Sequence, residues 1–76
     1  MSFEELKEVF VDTLNCDAEK VTMEASLTED LQADSLDAVE LNMAFEDKFG
    51  ITIADEDLGT LKTAGDIFNY LVARAA

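Results

Sequence analysis

An all-α fold is predicted: a small bundle of three principal helices plus one short helix, with a long loop between helices I and II. Three observations predict it. The chain holds no proline and only three glycines, too few turn formers for a protein of many short strands. Apolar residues recur at helical spacing in three separate stretches. A capping pattern stands just ahead of each stretch. At 76 residues the chain reads as one domain, 1–76, and such a chain buries only roughly 60% of its unfolded surface. Apolar residues make up 49% of it, enough for a packed core and too many for a disordered chain.

The first helix is announced by Ser2 with Glu5 three residues on, the pattern of a capping box. Phe3, Leu6, Val9, Phe10 and Leu14 then share one face, with Glu5, Glu8 and Asp12 opposite. The helix is expected to end near Asn15. Residues 16–33 follow no single period. This long connection is expected to lie across the bundle, pinned by Val21, Met23, Leu27 and Leu31. Ser26 and Glu29 are placed to cap a short helical turn within it.

The second helix is expected over residues 35–49, with Asp34 as N-cap, Asp37 at N3, and Gly50 ending it in the left-handed conformation. Ile51 and Ile53 lead into a short acidic turn, "ADEDL", residues 54–58. Thr63 and Asp66 form a further capping pattern. Ala64, Ile67, Phe68, Leu71 and Ala75 then share a face of the last helix.

The second helix carries two apolar stripes. With Leu36 at zero, Ala38, Leu41, Phe45 and Phe49 fall at roughly 140–220°, the core side. Leu36, Val39 and Met43 fall at roughly 300–360°, nearly opposite. Glu40 and Asp47 border this second stripe on one side and Glu46 on the other. Two arrangements suit it: burial under the long loop, or an exposed ridge rimmed by acids. A ridge would offer a partner's arginines and lysines a charged margin around an apolar strip. Methionine there suits a surface that fits several partners. Full burial of each side chain contributes about 1.5–3 kcal/mol before association costs, so the contact is expected to be weak and exchangeable.

Charge and chemistry narrow the function. Eighteen acidic against five basic residues give a net charge of −13. Such a polyanion repels nucleic acid and anionic lipid, and favours basic protein surfaces. There is no histidine, which removes the commonest general base and any Ser–His or Cys–His nucleophile. No catalytic residue and no metal site are expected. Asp55, Glu56 and Asp57 cluster, but without the spacing of a calcium loop. Cys16 is the one cysteine, so no intrachain disulfide forms. Acidic neighbours at Asp17 and Glu19 disfavour its thiolate. With no membrane-spanning run and no signal peptide, a cytoplasmic monomer without membrane insertion is expected. Ser35, at the start of the second helix, is either an ordinary first-turn serine or a modification site. With no histidine to activate it, another enzyme would have to attach the group.

The stretch "DLQADSLDAVEL", residues 30–41, resembles the attachment motif of acyl carrier proteins, with Asp34-Ser35-Leu36 matching the family's Asp-Ser-Leu. The likeness continues through "FEDKFGITIADEDL", residues 45–58, and covers essentially the whole chain. It implies that a phosphopantetheinyl transferase attaches 4′-phosphopantetheine from coenzyme A to Ser35. The arm would then carry acyl groups as thioesters to fatty acid synthesis enzymes with basic docking patches. A dedicated carrier for polyketide, modified-lipid or D-alanine transfer is the related alternative, and an unmodified acidic interaction module the unrelated one. The resemblance makes Leu36, Val39 and Met43 the recognition ridge, with Asp34, Asp37, Glu40, Glu46 and Asp47 as its charged margin. It also implies shelter for the acyl chain between helices, with Leu41, Phe45, Phe49, Ile53, Leu61 and Ile67 as candidates to line it and plain packed core as the alternative for each. The sequence departs from the family's habit at Gln32 (commonly glycine), Asn42 (commonly apolar), Phe45 (commonly leucine) and Ala54 (commonly proline). Lys48 interrupts the acidic run.

Overall fold

The computed structural model of the chain describes residues 1–75. Four α-helices follow in order: α1 Phe3–Leu14, α2 Ser35–Phe49, α3 Asp55–Leu58 and α4 Ala64–Ala75. A single 3₁₀ turn, Ala18–Lys20, lies in the α1–α2 connection. Among the described residues there is no strand, only an isolated antiparallel bridge between Ser26 and Thr63. The expected all-α bundle, with three long helices and one short, is what forms.

Each long helix begins as its cap dictates. At α1 the Ser2 N–H donates to Glu5 Oε1 at 2.9 Å, and the Glu5 N–H returns to Ser2 Oγ at 3.4 Å. Asn15 closes α1 at φ +55° and donates its N–H to the Val11 carbonyl at 2.8 Å. Gly50 closes α2 in the same left-handed region, φ +71°, where a residue without Cβ is unstrained. At α4 the Asp66 N–H donates to Thr63 Oγ1, while Asp66 Oδ2 accepts from the Lys62 and Thr63 N–H groups at 3.0 and 3.2 Å.

The core draws on all three long helices. Leu6, Phe10, Val21, Phe45, Ile53, Ile67 and Leu71 are fully buried. The Phe10 and Phe45 rings meet edge to face at 6.0 Å and tie α1 to α2, a favoured aromatic geometry. Phe3 and Phe68 do the same between α1 and α4 at 5.5 Å. Lys48 reaches from α2 to Glu8 on α1 at 3.2 Å.

The long connection is pinned differently from expectation. Val21 and Leu31 are buried and Leu27 is half-buried, but the Met23 side chain is 40% exposed. Backbone does the work instead. The Met23 and Ala25 carbonyls accept the Gly65 and Ala64 N–H groups at 2.9 and 3.0 Å, and the Leu27 N–H donates to the Lys62 carbonyl at 3.0 Å. The Ala64 and Gly65 N–H groups are first-turn donors of α4, which no helical carbonyl can reach. The approach is close: a Cβ at Gly65 would lie 2.5 Å from the Met23 carbonyl oxygen. The short turn expected at Ser26 exists, with the Glu29 N–H donating to Ser26 Oγ at 3.2 Å. The carboxylate that returns to the Ser26 N–H is Asp30 rather than Glu29, at 2.7 Å. Ala75, expected on the core face, is exposed.

Candidate functional site

The site is organised by the start of α2. Asp34 is the N-cap, and its Oδ1 accepts the Asp37 N–H at 2.9 Å. Asp37 Oδ2 in turn accepts the Asp34 N–H at 3.2 Å. The two aspartates that flank Ser35 thus form a complete capping box and leave its hydroxyl out of it. Ser35 is exposed, in the first helical position. The cap takes up the Asp37 N–H and leaves the first two N–H groups of the helix, those of Ser35 and Leu36, outside it. Such groups suit phosphate oxygens. The flanking carboxylates oppose an anion, so a phosphate here is better held by an ester bond than by affinity.

Just before the cap, Gln32 adopts φ +54°. Outside glycine this left-handed conformation costs roughly 1 kcal/mol. The turn into the site therefore has the geometry that explains glycine's frequency at this place in the related motif.

A cleft of about 540 Å³ opens beside Ser35. Asp34, Ser35, Ala38 and Val39 border it from α2, and Ser26, Leu27 and Thr28 from the long connection. Leu41, Phe45, Leu61 and Ile67, all expected to line an interior space, do lie along it. Phe49 and Ile53 do not: Phe49 stacks on Phe45 at 6.4 Å, and Ile53 is enclosed in the core. Sequence reasoning missed Leu27, Ala38, Leu58 and Gly59, which complete the walls. Of these, Leu58 was detectable as the apolar end of an otherwise acidic short helix.

Asn42, at the margin of the core stripe, spends both ends of its amide on one residue. Its Nδ2 donates to the Ile53 carbonyl at 2.9 Å and its Oδ1 accepts the Ile53 N–H at 2.8 Å. This clip fixes the segment that leads into α3.

The second stripe of α2 is uncovered. Leu36, Val39 and Met43 are 64%, 54% and 64% exposed. Glu40, Glu46 and Asp47 are exposed beside them, as is Asp34, while Asp37 is half-buried in its cap. The side-chain ion pairs of the described residues are Lys7–Glu4, Lys48–Glu8 and Arg74–Asp57. None involves these acids. A groove of about 140 Å³ runs beside the ridge, between Val39, Met43 and Glu46 and the α3 residues Asp55 and Leu58.

Among the described residues no three potential metal ligands converge, and no helix is long and apolar enough to cross a membrane. Among the described residues no side-chain hydrogen bond engages the Ser35 hydroxyl, the adjoining carboxylates being turned to the cap. The arrangement offers an accessible hydroxyl, an apolar cleft beside it, and an acid-rimmed ridge leading away.

Comparison with known proteins agrees with that geometry. A family model described as a phosphopantetheine attachment site matches residues 4–71. The chain is 54% identical over 69 residues to a protein of Petrotoga mobilis (strain DSM 10674 / SJ95) named acyl carrier protein. That alignment covers 91% of this chain and 81% of the relative.

Proposed function

The chain belongs to the acyl carrier proteins, and from that premise we propose that Ser35 bears the phosphopantetheine arm and that its cargo serves fatty acid synthesis. It is a carrier and not an enzyme, with phosphopantetheine as its prosthetic group. The observation that carries the assignment to Ser35 is the aspartate capping box. It holds the helix start without the serine and leaves the hydroxyl exposed beside an apolar cleft. When bound, the arm supplies a thiol that holds acyl groups as thioesters. The chain's own residues do the rest. The capping box orients the hydroxyl toward an incoming transferase. Leu36, Val39 and Met43 give that enzyme and later ones an apolar footing, and Asp34, Asp37, Glu40, Glu46 and Asp47 meet their basic patches. The cleft excludes water from the cargo, with Leu41, Phe45, Leu61 and Ile67 along it. The cytoplasm, where coenzyme A is available, is the expected setting.

Incubation with coenzyme A and a phosphopantetheinyl transferase, read by intact mass, tests the reading. One arm per chain is expected, none on Ser35→Ala, and slower transfer on Val39→Asp with unchanged folding by circular dichroism. An unmodified but folded wild-type chain would make this an acidic interaction module instead. The mass of the adduct on protein taken from its own cell decides the pathway. Ordinary saturated and 3-hydroxyacyl chains support fatty acid synthesis, whereas a polyketide, a modified lipid precursor or D-alanine would replace it.

A further inference from the structure

α3 is a wall of the cleft with little to hold it there. It is four residues long, its N-cap Ala54 supplies no side-chain bond, and none of its residues is buried. Its backbone bonds are local: the Asp57 and Leu58 N–H groups donate to the Ala54 carbonyl, and the Thr60 N–H to the Asp57 carbonyl. Such a turn is too short to be stable alone. Yet Asp55, Leu58 and Gly59 border the cleft opposite α2.

Besides the half-buried Leu58, one polar cluster fastens α3 to the rest. The Tyr70 hydroxyl on α4 donates to Asp57 Oδ2 at 2.8 Å. One turn further along α4, Arg74 approaches the same oxygen at 3.8 Å. The Arg74 guanidinium lies over the Tyr70 ring, 3.8 Å from its centroid, within the range of a cation–π contact. Two side chains of α4 thus converge on one carboxylate of α3.

The geometry points to Asp57, Tyr70 and Arg74 acting together as a latch that holds α3 across the cleft and limits the length of acyl chain it admits. The limit on cargo rests on the carrier reading; the latch itself does not. A hydrogen bond to an ionised carboxylate weights the closed form by roughly tenfold or more. The exposed ion pair adds little, and the stacked guanidinium chiefly keeps the Tyr70 ring in place. α3 then swings on the segment after Ile53, which the Asn42 clip fixes. With the latch open, the space between α2 and α4 widens without disturbing the buried core.

Amide hydrogen exchange on the unmodified chain tests the latch. Tyr70→Phe keeps the ring beneath Arg74 and removes only the hydroxyl. The Asp57, Leu58 and Thr60 amides should then exchange roughly tenfold faster. Amides in the middle of α2 should change no more than the global stability measured in urea. Where Tyr70→Phe fails to fold, Asp57→Ala, which removes the acceptor, is read the same way. Exchange in α3 that stays unchanged, or rises only in step with global unfolding, overturns the latch. The cargo limit is read on chains loaded with a homologous series of acyl groups. The gain in melting temperature should level off at a longer chain in the variant than in the wild type. The same plateau in both removes the claim about length. Failure of Ser35 to accept the arm removes the carrier reading and the cargo limit together, and leaves the exchange result to judge the latch alone.

Discussion

Asn42 shows how one polar side chain can serve a core. Both its hydrogen bonds go to the backbone of Ile53, and Ile53 is enclosed. Replacement by leucine would add apolar surface and orphan both a donor and an acceptor. Asn42→Leu is expected to lower stability by about 1–3 kcal/mol, the cost of leaving such groups unpaired. Urea denaturation checks it, and a variant as stable as the wild type removes the structural role of the clip. The sequence marked this residue as a departure from an apolar habit, and its angle placed it at the edge of the core stripe. It did not reveal the partner, which is a backbone pair eleven positions away and has no side-chain signature. Met23 failed for the related reason. Its apolar side chain suggested an anchor, but the anchor is its carbonyl, and every residue type has one. Gly65 was the recoverable signal, since a residue without Cβ allows another backbone to approach closely.

At the scale of elements, caps and periodicity carried most of the reading. The bounds of α2 follow from Asp34, Asp37 and Gly50, and its two stripes from 100° steps alone. What spacing left open was whether the second stripe is covered. That depends on where eighteen residues of aperiodic chain, 16–33, run. The connection runs against α4 instead, drawn there by the unpaired N–H groups of its first turn. The caps also set a dependence on acid. Asp66 is held below the ordinary aspartate range, first by the Lys62 N–H and next by the Thr63 N–H. Glu5 is lowered likewise, chiefly by the Ser2 N–H. A carboxyl whose folded value is depressed stabilises the fold above its unfolded value, and that contribution disappears as the pH falls through the folded one. Asp66→Asn should therefore be less stable than the wild type at pH 7, with the gap closing below about pH 4. Urea midpoints at both pH values measure it. A gap that persists undiminished in acid would show that the charge on Asp66 is not what matters.

Across the whole molecule, like charge works against compactness. The net charge is −13, and the side-chain ion pairs described occupy only Lys7, Lys48 and Arg74. Added salt shortens the range of repulsion, to about 3–10 Å between 1 M and 0.1 M. The melting temperature should rise steadily with sodium chloride, followed by circular dichroism. A flat or falling curve would mean that repulsion does not limit this fold. The total charge was plain from composition. The arrangement was not, because sequence alone does not say which acids find a lysine. In the fold Glu4 and Glu8 do, Asp57 meets an arginine, and those bordering Leu36, Val39 and Met43 are in none of these pairs. The cleft was the least legible feature. Its far wall comes from α3, whose position depends on a tyrosine and an arginine on another helix.

The capping box at α2 has a practical consequence. Under the proposed attachment at Ser35, the start of α2 must tolerate a hydroxyl that is bare at one time and burdened at another. Because two carboxylates grip the backbone on either side of the hydroxyl, decorating that oxygen disturbs no bond on which the scaffold depends. The start of α2 can therefore keep one outline in the undecorated protein and in its derivatives.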